Sequence, residues 1–207
     1  MDGLYQHSIK IERPRFSHRY DMFSHKLGRP VTLFSADQVA LWTFLEAQPC
    51  VKRFCEFPAR LAVEKGKSVL ADFWVSTTRR ECFLVIGDIH DPNCARFVSP
   101  RAPVKFFNPR RVSTHATWIM NWRSMLPYVV AQRCWLGSAD LDRVVSCCTA
   151  LTRLGDLEHH LVPVFDDPTV ARAAVFTALV CGRLRAPALR KELWSFNTLI
   201  APLVNAH

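Results

Sequence analysis

Asp72 stands in an apolar run, Leu70-Ala71-Asp72-Phe73-Trp74-Val75, where an unpaired buried carboxylate costs several kcal/mol. It needs either a cationic partner, such as Arg60 or Arg79, or a metal ion. Downstream, Asp88-Ile89-His90-Asp91 offers three further ligands in one loop. Asp72, Asp88 and Asp91 are therefore a candidate site for a hard cation such as Mg2+. The chemistry such a site serves is phosphodiester cleavage, which asks for at least two carboxylates to hold the metal against a phosphate and usually a lysine to orient the attacking water. A recurrent solution puts one acid on a helix, an Asp at the end of a hairpin strand and Glu-x-Lys on the next strand. Residues two apart on a strand share a face, so the Glu and the Lys both reach the metal.

These residues must be carried by a helix followed by strands. Residues 1–34 are basic, polar and weakly periodic, and read as an extended arm. Ser35 is a good N-cap, and Gln38 completes a capping-box pattern ahead of the apolar face Val39, Leu41, Trp42, Phe44 and Leu45, which Pro49 closes. Strands are expected over 51–57 and 60–64, with a Glu64-Lys65-Gly66-Lys67 turn into a hairpin partner over 68–76. The run 82–86 is apolar without alternation, which predicts a strand covered on both faces. Four prolines make 92–113 loop and short edge structure, and 114–133 reads as a long amphipathic helix that Pro127 should kink or split. Residues 139–154 continue helical. Asp167-Pro168 opens a helix through Val180 that Gly182 ends, and Arg185-Ala186-Pro187 starts another through Trp194. That succession fits a helix-turn-helix, a winged-helix-like unit or a plain helical cap.

The order Lys26-Leu27-Gly28-Arg29, Ser35 with residue 38 at an acid position, Val51 and Pro58 before a hairpin, then Asp72-Phe73, resembles the N-terminal domain of TnsA-like endonucleases. These are the nuclease subunits of heteromeric cut-and-paste transposons. The likeness covers about residues 20–90, and the C-terminal helices are similar in kind to that family's smaller second domain. The resemblance implies an α/β chain with a restriction-endonuclease-like mixed sheet flanked by helices and a small all-helical C-terminal part, helix-turn-helix or winged-helix-like. It implies an arm over 1–34, a nuclease-fold domain over 35–135 and a helical domain over 136–207. It also implies that the helix acid falls on Gln38, the metal-binding Asp on Asp72, and Glu-x-Lys on Val85 and Gly87. Only Asp72 keeps a ligand, so the catalytic motif is degenerate.

Charge points to the same class of partner. The chain of 207 residues carries 27 basic and 18 acidic residues, +9 in all, and residues 92–139 contain no Asp or Glu. Arg96, Arg101, Lys105, Arg110, Arg111 and Arg123 all fall in that run, interleaved with aromatic residues, and form a candidate surface for double-stranded DNA. The eight cysteines show no CxxC pair, so reduced thiols are expected. The polar N-terminal residues and the lack of a long apolar run predict a cytoplasmic protein without a membrane association. Three readings follow. The first is a DNA-binding, TnsA-like protein that has lost, or nearly lost, cleavage and acts by binding DNA or as a scaffold for a transposase-like partner. The second is an endonuclease whose site is rebuilt around Asp72 with Mg2+, and the third is a protein-interaction module.

Overall fold

The computed structural model describes residues 5–88, 97–98 and 100–203, with the side chains of residues 65 and 111–113 set aside. The chain is mixed α/β, and its contacts divide it into two compact units. The first comprises residues 1–45 and 50–114, the second residues 46–49 and 115–207. The division at 114–115, rather than at the expected 135–136, follows from a long helix that packs with the C-terminal helices.

Within the expected arm, the described residues 5–19 form no helix or strand, whereas 20–33 form a hairpin. Strands β1 (Tyr20–Ser24) and β2 (Arg29–Leu33) pair antiparallel, Tyr20 opposite Leu33. Gly28 turns the chain at φ +64°, a left-handed conformation that glycine adopts without strain. The hydroxyl of Ser24 accepts the Leu27 N–H at 3.0 Å. Val31 and Leu33 point inward with period two, which is why this segment pairs as a strand. Arg29 then grips the buried Glu56 through two hydrogen bonds of 2.6 and 2.7 Å.

Helix α1 (Ala36–Ala47) follows, and then β3 (Val51–Glu56), β4 (Arg60–Ala62), β5 (Ser68–Leu70), β6 (Phe73–Thr77), β7 (Glu81–Ile86) and β8 (Val104–Phe107). The expected strand over 68–76 is two strands with different partners. β5 pairs with β4, while β6 lies between β3 and β7 in a four-stranded sheet of order β3-β6-β7-β8. The cause is opposite Asp72, where Phe57 takes φ +44° and Pro58 has no N–H to continue the ladder. β7 and β8 run parallel, so the sheet is mixed, and Trp74, Phe83, Cys55 and Leu61 fill a core on it.

The described residues of the second unit form four helices, α2 (Ala116–Ala131), α3 (Ser138–Cys147), α4 (Leu154–Phe165) and α5 (Pro168–Val180). The short strands β9 (Thr152–Arg153), β10 (Leu184–Arg185) and β11 (Leu199–Pro202) form an antiparallel sheet with β11 in the middle. The all-helical expectation is therefore corrected. Pro127 does not split α2: it lies on the exposed face with Arg123 four residues before it, where water can meet the freed carbonyl. The helix expected over 139–154 stops at Cys147.

The helix expected over 187–194 is only a 3-10 turn, Pro187–Arg190. The buried Asn121 explains this. Its amide donates to the Leu189 and Glu192 carbonyls at 2.8 Å each, and its Oδ1 accepts the Trp194 N–H at 2.9 Å. Backbone groups that a helix would pair internally are thus taken by one side chain.

α5 lies at the centre of the unit. Every residue from 171 to 180 except Arg172 is buried, the pattern of a helix apolar all round. Asp167 caps it by accepting the Thr169 N–H at 2.6 Å, and Gly182 turns the chain out at φ +73°. A Cβ at position 182 would stand 2.6 Å from the Cβ of Pro49. Gly182→Ala is accordingly expected to lose about 2–4 kcal/mol by urea unfolding, the left-handed backbone and the overlap acting together.

Candidate functional site

Gln38 and Asp72 meet although 34 residues separate them. Gln38 sits in the first turn of α1, where its N–H donates to Ser35 Oγ at 3.1 Å. The expected capping box is half formed. The Gln38 side chain reaches back one residue further, and its Oε1 accepts the Phe34 N–H at 2.8 Å. Because a backbone N–H can only donate, Oε1 must face Phe34 and the amide nitrogen must face the other way. That nitrogen donates to Asp72 Oδ1 at 2.8 Å.

Asp72 stands at the head of β6, held by its backbone on both sides. Its N–H donates to the Leu84 carbonyl at 3.0 Å, and its own carbonyl accepts the Phe57 N–H at 2.9 Å. The second carboxylate oxygen accepts the Ile86 N–H at 2.7 Å, just past the last full pairing of β6 with β7. The partners of this half-buried carboxylate are therefore a side-chain amide and a backbone N–H, not Arg60 or Arg79. Burial raises its pKa above the usual carboxylate range, the Ile86 and Gln38 hydrogen bonds oppose the rise, and the charge of Asp37 adds to it.

The positions expected for Glu-x-Lys complete no ligand set. Val85 is buried among apolar groups, and a Cβ on Gly87 would only touch the Phe106 ring at 3.7 Å. Asp88 is engaged elsewhere, its Oδ2 accepting from Asn108 Nδ2 at 3.0 Å. Asp91 and Arg96 lie outside the described residues, as does the side chain of Arg111. Among the described residues no three His, Cys, Asp or Glu side chains gather to hold a metal. Each Asp72 oxygen already accepts one N–H, from Gln38 and from Ile86, so a cation would have to share this carboxylate with two donors.

The basic residues expected to contact DNA divide between the two units. Arg101, Lys105 and Arg110 belong to the first, around β8 and the turn after it, and Arg123 projects from α2 in the second. Arg101, Arg110 and Arg123 are exposed and Lys105 is half-buried. None of the ion pairs among the described residues takes Arg101, Lys105 or Arg123.

Some groups that shape the site carry no sequence signal. The Ile86 N–H is backbone, and Asp37 acts on Asp72 only because α1 starts where it does. The Lys26-Leu27-Gly28-Arg29 turn proves to be structural, with Lys26 Nζ donating to the Leu45 carbonyl at 2.8 Å and Arg29 paired to Glu56. No protein-family model and no curated protein matches the chain. No helix among the described residues is long and apolar enough to cross a membrane.

Proposed function

We propose that this chain is a DNA-binding protein on a TnsA-like, restriction-endonuclease-like frame, in which the catalytic site has become a structural clasp. The observation that carries the reading is the 2.8 Å hydrogen bond from Gln38 Nε2 to Asp72 Oδ1. The helix residue and the strand-head Asp meet as the resemblance requires, and an amide stands where an acid would share a metal. A helix ahead of an antiparallel run β3-β6-β7, with β8 added parallel, supports the nuclease-like frame. In the second unit, the succession α3, β9, α4, α5, β10, β11 with β11 central supports a winged-helix-like arrangement.

DNA is held through phosphates by exposed arginine and lysine side chains, not read by α5. A recognition helix needs a face free to enter the major groove, and α5 has none. A transposase-like protein partner completes the role, with this chain as its DNA-bound scaffold.

Fluorescence anisotropy on duplex DNA across a salt series, together with plasmid nicking in Mg2+ and Mn2+, tests the reading. Binding should weaken steeply with salt. The triple change Arg101→Ala, Lys105→Ala, Arg110→Ala should lower affinity and flatten the log–log salt slope by about 2–3. No nicking should be seen. Salt-insensitive binding would remove the DNA role, and nicking abolished by Asp72→Ala would restore the enzyme.

A further inference from the structure

A cavity of about 330 Å³ lies within the second unit, bounded by Pro49, Trp118, Trp122, Leu184 and Leu189 with Arg185 and Arg190 at its edge. Its walls are mainly apolar, and its volume falls at the small end of the range for small-molecule sites. Two features separate it from an ordinary packing defect.

The first is a pair of aromatic rings. Trp118 and Trp122, 9% and 1% exposed, both line the cavity and meet edge to face at 5.4 Å. Two indoles on one wall can meet a ligand ring by offset or edge-to-face contact. The second is a pair of cations. Arg185 and Arg190 are exposed and take no carboxylate among the described residues. The Arg190 guanidinium lies over the Trp118 ring, 4.8 Å from its centre. Stacking there fixes the orientation of its planar donor edge beside the apolar space.

We propose that this cavity binds a small arylalkanoate, an aromatic ring joined by a short chain to a carboxylate. The ring occupies the space between the indoles and Leu184. The carboxylate lies at the edge and accepts charge-assisted hydrogen bonds from Arg190 and Arg185. Specificity comes from the pairing of one apolar body with one anionic end. A neutral analogue keeps the ring contacts but loses both guanidinium bonds, and a purely inorganic anion has nothing to fill the cavity.

Isothermal titration of the full chain with 4-phenylbutyrate, 4-phenylbutyramide and inorganic phosphate decides the matter. The acid should bind saturably, the amide at least about tenfold more weakly, and phosphate not at this site. Arg190→Met and Arg185→Met alter exposed side chains, so both variants should stay folded by circular dichroism and each should weaken the acid about tenfold without changing the amide. Absence of acid binding up to ~5 mM, the weak limit for a ligand of this size, overturns the proposal. So does equal affinity for acid and amide, or acid binding unchanged in both arginine variants.

Discussion

Arg172→Ala should lose about 3–5 kcal/mol of stability, because it strands a buried carboxylate. Arg172 on α5 meets Glu158 on α4 through a fork of two hydrogen bonds, Nε to Oε1 at 2.8 Å and the second nitrogen to Oε2 at 2.9 Å. Glu158 is 5% exposed, so removal of the arginine leaves a carboxylate with neither water nor counter-charge. The guanidinium is also enclosed by the rings of Phe196, Tyr128 and Trp194, with centres at 5.1, 5.7 and 5.8 Å. The Glu158 hydrogen bond raises the arginine pKa above an already high value. Arg172→Lys keeps the charge but loses the fork and the planar stack, and should fall between wild type and alanine. Urea unfolding is the measurement. The double variant Arg172→Ala with Glu158→Leu should recover a large part of the loss, because no charge is then stranded.

Gln38→Glu should have the second largest effect, and one that reports on the site itself. The new carboxylate would face Asp72 at the distance the amide now spans, 2.8 Å. Two carboxylates so close cannot both ionise without a cation between them. About 2–4 kcal/mol should be lost at pH 8 in EDTA, with much of it recovered at pH 5, where a shared proton replaces the lost donor. Mn2+ should raise the melting temperature of this variant more than that of wild type, by linkage to the folded state. A variant as stable as wild type at pH 8 without metal would show that the amide is incidental.

Wild-type pH dependence has the opposite origin to that of a salt-bridged acid. Asp72 in the folded chain titrates above its ordinary value of 3.8. The folded state therefore holds its proton more tightly than the unfolded state does, and stability falls as pH rises from about 3.8 through the raised value, then levels. Asp72→Asn should flatten that part of a urea-midpoint against pH curve.

Periodicity made α1 and α5 legible, and the Asp167-Pro168 start and Gly182 end of α5 matched their cap chemistry. Asp72 stood out because its neighbours are apolar, and the order of short motifs placed Gln38 beside it. Contacts between distant residues were not legible. Asn121 reaches residues 189–194 through three hydrogen bonds and overrides a local helical pattern that Pro187 begins. The Arg172–Glu158 fork joins two helices whose exposed-looking charges gave no sign of pairing. The hairpin over 20–33 was missed because its alternation is short and half of one strand is polar. The break in 68–76 depends on Phe57 and Pro58 across the sheet.

The second unit takes four of its residues, 46–49, from a part of the chain made long before the rest of it. During synthesis those residues must wait until position 182 has emerged before Pro49 meets its glycine. A protease cut or a cloned fragment beginning at residue 115 would lack Pro49 altogether, removing one wall of the cavity. The two units are thus interlaced along the chain, and neither can be harvested intact by a single cut.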